Sequence, residues 1–258
     1  MGDLPIPASL HDCPVVESRP VGSYRLVSFV AREVAALARP GQFLMVRAAG
    51  YSLDPLLPRP LGVHDIDSDL VKILIEPVGR GTMSLASLRV GDRLSVLGPL
   101  GNGFSLTGAG PALIVGGGIG AAPLTLLARA LAERGRHTEC LLGFKTRGQA
   151  VAAELFRNAD VEVFTEDGSM GSEGLISEPL PECLRRMEAA EIFACGPDPM
   201  LAAVARTARD CGASAQVSVA AHMACGVGAC QGCVIKTRDG YRRACSDGPV
   251  FPAEEIAW

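Results

Sequence analysis

Four cysteines near the carboxyl terminus constrain the fold of this chain more than any other feature of its sequence. Cys225, Cys230 and Cys233 follow the spacing C-x4-C-x2-C, and Cys245 comes further along the chain. The segment from about Gln216 onward is rich in glycine and cysteine and has too few apolar residues to form a core of its own. Small cysteine-rich units of this kind are usually held together by metal rather than by hydrophobic burial. The sequence therefore predicts a metal centre in the last part of the chain.

The cysteine spacing favours iron over zinc. C-x4-C-x2-C followed by a distant cysteine is the spacing of plant-type [2Fe-2S] sites. Three thiolates on one tight loop must then converge on two irons, and Gly226, Gly228 and Gly232 permit the close approach of the backbone. Zinc and disulfides remain alternatives, although zinc sites favour two C-x2-C pairs and only one is present. The cysteines that stand singly in apolar or helical surroundings are predicted to be small core residues: Cys13, Cys140, Cys183 and Cys211.

Composition indicates a globular protein with two hydrophobic cores. The chain has 258 residues, of which 48% are hydrophobic, and 24 basic against 28 acidic residues give a net charge of -4. Without a dense basic run, nucleic acid is not an expected partner. Met1–Leu10 lacks the basic start and apolar core of a secretory signal, so we expect a cytoplasmic protein. The uncharged stretch Pro111–Ala128 is interrupted by glycines and a proline, which indicates a strand, a turn and a helix start rather than a membrane span.

Two different patterns of secondary structure divide the chain. Short β-rich runs between Val15 and Ser95 predict a small antiparallel barrel. Strands and helices then alternate, which is typical of a doubly wound parallel sheet with crossover helices. The predicted strands are 24–30, 42–47, 71–75, 112–115, 139–143, 161–164 and 191–195, and the predicted helices are 123–134 and 200–209. We therefore expect a barrel domain at 1–106, an α/β domain at 107–214 and a metal-binding domain at 215–258.

Two glycine-containing turns lie where an open parallel sheet binds ligands. Gly116, Gly117, Gly118 and Gly120 follow one predicted strand and precede a helix, so that free N–H groups there can face a pyrophosphate. The pair Cys195–Gly196 ends another strand of the same sheet. In the barrel half, Arg59 beside Pro60 can present a guanidinium to a diphosphate, and Gly81–Thr82 offers further donors. Each pattern alone is also compatible with an ordinary turn or an exposed arginine.

In their order along the chain, these motifs resemble the iron-sulfur flavoprotein electron transfer subunits of class B dihydroorotate dehydrogenases, which are members of the ferredoxin reductase-like superfamily. The resemblance extends over nearly the whole chain. The cysteine run and the segment 247–251 together are specific to this family within the superfamily. The matching segments are 40–43, 59–60, 81–82, 98–104, 116–124, 167–171, 195–197, the four cysteines and 247–251.

The resemblance implies a set of cofactors and partners. FAD would lie against the barrel, NAD over the glycine turns, and the four cysteines would ligate a [2Fe-2S] cluster. The partner would be an FMN-containing catalytic subunit that oxidises dihydroorotate in pyrimidine biosynthesis, with electrons passing from FMN through the cluster and FAD to NAD+, in an assembly of two plus two subunits. The residues implied for FAD are Arg59, Pro60, Leu61, Gly62, Leu74, Ile75, Glu76, Gly81 and Thr82; those for NAD are Gly116, Gly117, Gly118, Gly120, Cys195 and Gly196; and those for the cluster are Cys225, Cys230, Cys233 and Cys245.

The chain departs from the family pattern at three places. The family usually has serine where Gly62 stands and arginine where Glu76 stands, and it commonly carries an acidic residue in the segment that reads Ala220-Ala221-His222 here. A carboxylate beside a diphosphate is expected to weaken binding unless it turns away. His11, His64, His137 and His222 lie apart in sequence and suggest no general base, which favours an electron conduit. The alternatives are the flavin/NAD subunit of a hydrogenase or another dehydrogenase, and a zinc-stabilised nucleotide-binding regulator.

Overall fold

The computed structural model describes residues 8–50, 54–157, 159–188 and 190–258. Within these ranges the strands form two sheets of seven strands each and one sheet of two strands. The first seven residues, on which the expectation of no secretory signal partly rests, lie outside the described residues.

The first seven-stranded sheet is antiparallel and curls into a half-barrel whose edge strands are the fourth and fifth in the chain. The first strand has a register shift between Val15 and Glu17, and it pairs with the second strand on one side and with the seventh on the other. This half contains β1 (Ser9–Val21), β2 (Tyr24–Val30), α1 (Arg32–Leu37), β3 (Phe43–Ala48), β4 (Arg59–Gly62), β5 (Asp65–Asp67), β6 (Leu70–Ile75), α2 (Arg80–Ala86) and β7 (Arg93–Leu100).

The second seven-stranded sheet is parallel except at one edge. Its elements are β8 (Ala112–Gly117), α3 (Leu124–Ala132), β9 (Thr138–Phe144), α4 (Arg147–Ala150), β10 (Asp160–Thr165), β11 (Ser172–Glu173), α5 (Leu180–Met187), β12 (Glu191–Cys195), α6 (Asp198–Cys211), β13 (Ala215–Ser218) and, after a two-stranded excursion of β14 (Val234–Thr237) and β15 (Gly240–Arg243), the strand β16 (Val250–Pro252).

The strand order of the second sheet, β11-β10-β9-β8-β12-β13-β16, runs outward from β8 in both directions, as in a doubly wound sheet. All residues of β8 are buried. Ile114 faces the core shared with the half-barrel, whereas Leu113 and Val115 face the core under α5 and α6. A strand covered on both faces needs an unbroken apolar run, which is why 112–115 was recognisable from sequence.

The half-barrel and the second sheet are packed through a common core. That core contains Tyr24 and Leu74 from the half-barrel together with Ile114 and Phe193 from the sheet. Phe104, in the connection between them, packs edge-on against Phe193 with ring centroids 5.6 Å apart. The two units therefore meet across a buried apolar surface.

The last region of the chain is held at both ends by the second sheet. Val217 of β13 pairs with Phe251 of β16, which runs antiparallel to it. Residues 219–249 leave the sheet between these strands, and they include the cysteine loop and the β14–β15 hairpin. None of the helices within the described ranges combines the length and apolar character that crossing a bilayer requires.

Candidate functional site

The four cysteines of the carboxyl-terminal region are arranged as two pairs. Cys225 and Cys230 are neighbours, because the Cys230 N–H donates to the Cys225 Sγ at 3.4 Å. Likewise, the thiols of Cys233 and Cys245 are neighbours, and the Cys245 N–H donates to the Cys233 Sγ at 3.4 Å. The loop thus brings all four predicted ligands together, two and two.

This pairing fits two irons better than a single metal ion. A structural zinc needs four ligands around one point, whereas a [2Fe-2S] cluster needs two thiolates at each iron. The donor set and its geometry therefore fit the cluster.

The two cysteine pairs differ in their surroundings. Cys233 and Cys245 are buried and pack against Phe43, Met45 and Leu100 of the half-barrel. Cys230, by contrast, is exposed. One pair of the cluster site therefore faces the half-barrel, while the other reaches the surface.

Backbone N–H groups set the electrostatics of the exposed pair. Burial alone would raise the pKa of the Cys225 thiol, but N–H groups of Cys230 and Val227 point at its sulfur and lower the pKa to about 6. In contrast, burial raises the pKa of Cys13 and of Cys183 to about 11. Hydrogen bonds to a thiolate favour its charged form, as an anionic iron ligand requires.

Arg59 of β4 lies directly over the start of α2. A Cβ atom at Gly81 would stand 2.2 Å from the Arg59 Nε, so only a residue without a side chain permits this contact. The Arg59 Nη1 donates to the Leu57 carbonyl at 2.8 Å. The Thr82 hydroxyl donates to the Gly79 carbonyl at 3.1 Å and so serves its own turn. The structure thus brings the Arg59–Gly62 strand and Gly81–Thr82 together, with a cation beside first-turn N–H groups that lack partners in the helix.

The strand β6 presents Leu74 and Ile75 to opposite sides. Leu74 faces the core shared with the second sheet, whereas Ile75 is fully buried in the half-barrel core. A flavin contact by Ile75 would therefore use its backbone. The carboxylate of Glu76 accepts a hydrogen bond of 3.0 Å from the Gln149 Nε2. The Gln149 Oε1 accepts the Lys145 N–H at 3.1 Å, which fixes the orientation of the amide.

The glycine turns pack against each other at the carboxyl ends of β8 and β12. Cys195 pairs in register with Gly116. A Cβ atom at Gly120 would lie 2.6 Å from the Cys195 carbonyl oxygen, and one at Gly196 would lie 3.0 Å from the Gly117 nitrogen. At Gly118 a Cβ would meet nothing within 4 Å. The two predicted turns thus form one surface, open at Gly118, where a parallel sheet binds dinucleotides.

Sequence reasoning overlooked residues that carry no repeated pattern. Gln149 reaches Glu76 across 73 positions, and Arg243 bonds to the cysteine loop at Gly228. Asn102, which bonds to the Asp247 carbonyl at 3.1 Å, lies inside a segment that the resemblance had marked. Among the positions that depart from the family pattern, Gly62 lies against Pro123 at the start of α3. A Cβ atom at Gly62 would stand 2.8 Å from the Pro123 Cβ.

Solved structures show the same architecture. The chain aligns over its full length, and over 92% of the other chain, with a chain of an NADH-dependent reduced ferredoxin-NADP oxidoreductase studied for flavin-based electron bifurcation, at a TM-score of 0.87 and 28% identity. A ferredoxin reductase of a carbazole 1,9a-dioxygenase aligns over 81% of this chain and 67% of that chain, with a TM-score of 0.68 and 24% identity. The fold is therefore that of ferredoxin reductase-like flavoproteins, whose cofactors are FAD and a nicotinamide dinucleotide.

Comparison with known sequences identifies the family within this superfamily. The family model for the iron-sulfur cluster binding domain of dihydroorotate dehydrogenase B matches residues 220–257. A dihydroorotate dehydrogenase B (NAD(+)) electron transfer subunit from Bacillus caldolyticus is 40% identical over 256 residues, which cover 93% of this chain and 98% of that protein. Its counterpart in Caldanaerobacter subterraneus is 39% identical over 222 residues, covering 84% and 86%. The chain therefore belongs to the family of dihydroorotate dehydrogenase B (NAD(+)) electron transfer subunits.

Proposed function

We propose that this chain passes electrons to NAD+ from a catalytic subunit that oxidises dihydroorotate. The reaction would belong to pyrimidine biosynthesis in the cytoplasm. The observation that carries the proposal is the arrangement of the cysteine pairs, one at the surface and one against the half-barrel. A [2Fe-2S] cluster carries single electrons, a flavin accepts them one at a time, and nicotinamide takes a hydride. In our proposal the electrons therefore pass from the cluster to the flavin and from the flavin to the nicotinamide.

The chain's own residues hold the cofactors in place. We assign Cys225, Cys230, Cys233 and Cys245 as the iron ligands. Arg59 supplies a fixed positive charge for the FAD diphosphate, with Pro60, Leu61, Gly62, Leu74, Ile75, Glu76, Gly81 and Thr82 lining the flavin. The surface formed by Gly116, Gly117, Gly118, Gly120, Cys195 and Gly196 receives NAD. We also propose an FMN-containing partner and an assembly of two plus two subunits, following the family resemblance.

The substitution Cys230→Ser tests the cluster assignment. We expect iron and the cluster signal to be lost, while FAD stays bound and NADH oxidation by an artificial acceptor continues, because the half-barrel core does not include Cys230. Cys211→Ser is the matched control, since Cys211, which the sequence wrongly predicted to be a core residue, is also exposed but lies at the end of α6. Iron content, the visible spectrum and NADH oxidation of protein purified without oxygen measure the outcome. A full cluster signal in Cys230→Ser, or zinc in the native protein, would contradict the assignment.

A second candidate is a flavin/NAD subunit that serves another dehydrogenase or a hydrogenase. The full-length likeness to the chain of the ferredoxin-NADP oxidoreductase shows that the same architecture occurs in a different enzyme. Co-purification of the native complex separates the two candidates. A partner that binds FMN and oxidises dihydroorotate supports the first, and any other redox partner supports the second.

A further inference from the structure

Arg243 forms a bridge between the two parts of the cysteine region. It is the last residue of β15, where it pairs with Val234 of β14. Cys245 follows it two positions further along the chain. The Arg243 Nη1 donates to the Gly228 carbonyl at 3.1 Å, within the cysteine loop. Its Nη2 donates to the Asp247 Oδ1 at 3.1 Å, and its backbone N–H donates to the Asp247 Oδ2 at 2.7 Å. The guanidinium is therefore held on both sides.

Gly228 is held from two directions by this bridge. Its N–H donates to the Cys245 Sγ at 3.1 Å, and its carbonyl accepts from Arg243. Asn102 of the half-barrel further fixes the Asp247 segment, because its Nδ2 donates to the Asp247 carbonyl and its N–H donates to the Gly248 carbonyl at 2.6 Å. A displacement of Arg243 would free the carbonyl of Gly228, the residue whose N–H donates to a sulfur of the buried pair.

The charge of Arg243 lies close to the buried pair of sulfurs. Its guanidinium bonds to the carbonyl of Gly228, the residue whose N–H donates to the Cys245 Sγ. Hydrogen bonds to the sulfurs and nearby charge are main determinants of the potential of an iron-sulfur cluster. A cation stabilises the reduced cluster, which carries one more negative charge, and a carboxylate does the opposite.

We propose that Arg243 is a positioning residue that raises the reduction potential of the cluster, with Asp247 as the counter-charge that limits the rise. This inference rests on the proposed cluster assignment. It assigns opposite electrostatic effects to two residues that bond to each other, so the two can be separated by the sign of the shift that each substitution causes.

Potentiometric titration of the full chain, followed by the electron paramagnetic resonance of the reduced cluster, tests the proposal. In Arg243→Gln we expect the one-electron reduction equilibrium to fall about tenfold, a shift of about 59 mV to lower potential. Asp247→Asn retains an acceptor for the Arg243 N–H and should shift the potential upward. The double variant should return toward the native value. Arg242→Gln is the matched control, because Arg242 is the exposed neighbour on the same strand and loses the same charge.

Loss of the loop geometry alone would move Arg243→Gln and Asp247→Asn in the same direction, and that result would overturn the proposal. So would a potential in Arg243→Gln equal to that of Arg242→Gln at full iron content. If Arg243→Gln holds no iron, Arg243→Lys replaces it and should retain iron with a smaller downward shift; an unchanged potential there contradicts the proposal. Iron content of the native protein, measured on the same samples, shows separately whether the cluster assignment itself fails.

Discussion

The contact between Arg59 and Gly81 shows how a single missing side chain shapes the site that we propose for the flavin. The guanidinium occupies the space that a Cβ at Gly81 would need, with the Nε only 2.2 Å from that position. An arginine held beside a helix start is a fixed positive charge. It suits a diphosphate better than a mobile side chain would, because less side-chain freedom is lost on binding.

The pair of substitutions Gly81→Ala and Gly79→Ala tests this contact. In Gly81→Ala the guanidinium must move, and we expect FAD to bind about tenfold more weakly or worse, since a hydrogen bond to a charged group contributes ~1.5–3 kcal/mol. At Gly79 a Cβ meets nothing within 4 Å, so Gly79→Ala should bind FAD as the native protein does. Fluorescence titration of the flavin-free protein measures both. Equal losses in the two variants would argue against a role of the Arg59 contact.

Candidate binding residues could be named from sequence where a spacing encodes the chemistry, and not elsewhere. The C-x4-C-x2-C run marked the cysteines because three ligands on one loop leave a local pattern. Their division into two pairs depends on the fold of the loop and leaves no pattern in the sequence. Gln149 and Arg243 are single polar residues whose partners lie far along the chain, so only the structure joins them to Glu76 and Gly228.

At the scale of elements, prediction succeeded where one periodicity or one apolar run defined the segment. The strands Tyr24–Val30 and Glu191–Cys195 have the predicted bounds. The predicted helix at 123–134 forms as Leu124–Ala132, after a single turn of tighter helix at Gly118–Ala121. The long strand β1 was missed, because Pro14 and Pro20 interrupt it and a proline in a sequence argues against a central strand. Each proline lies in a half of β1 that pairs with a single strand, Pro14 with β7 and Pro20 with β2.

The turn after β8 supplies a prediction at this scale. Gly118 and Gly135 both have left-handed backbone, with φ of 54° and 68°, and neither would place a Cβ near another atom. Alanine at either position should therefore cost a similar ~1–2 kcal/mol of folding stability. Only Gly118→Ala should also raise the KM for NADH severalfold without loss of flavin, because its methyl group enters the surface proposed for NAD. Steady-state kinetics and thermal unfolding measure the two effects; an unchanged KM would exclude this turn from the NAD site.

At the scale of the whole molecule, the half-barrel and the second sheet are joined by polar contacts as well as by a common core. The Ser23 N–H donates to the Gly148 carbonyl at 2.7 Å, and Gln149 donates to Glu76. Both contacts end on α4, so this short helix ties the second sheet to the β1–β2 turn and to the end of β6. The carboxylate that departs from the family pattern is thereby turned toward Gln149.

A double-mutant cycle tests that interpretation. In Gln149→Ala the Glu76 carboxylate loses its partner, and we expect severalfold weaker FAD binding because a free negative charge then stands near the diphosphate. With Glu76→Gln as the background, the same Gln149→Ala change should have little effect, since no charge remains to be released. Titration of the four flavin-free proteins with FAD gives the coupling. The same loss in both backgrounds would show that Gln149 acts independently of Glu76.

The pairing of β13 with β16 has a consequence for how such a chain can change. Ser218 and Val250 form a cross-strand pair, so residues 219–249 begin and end at neighbouring positions of the sheet. A segment anchored in this way can change in length between its two ends without shifting the register of the sheet. Its replacement by another electron carrier would also have to cover Phe43, Met45 and Leu100 of the half-barrel, against which the buried cysteine pair now packs.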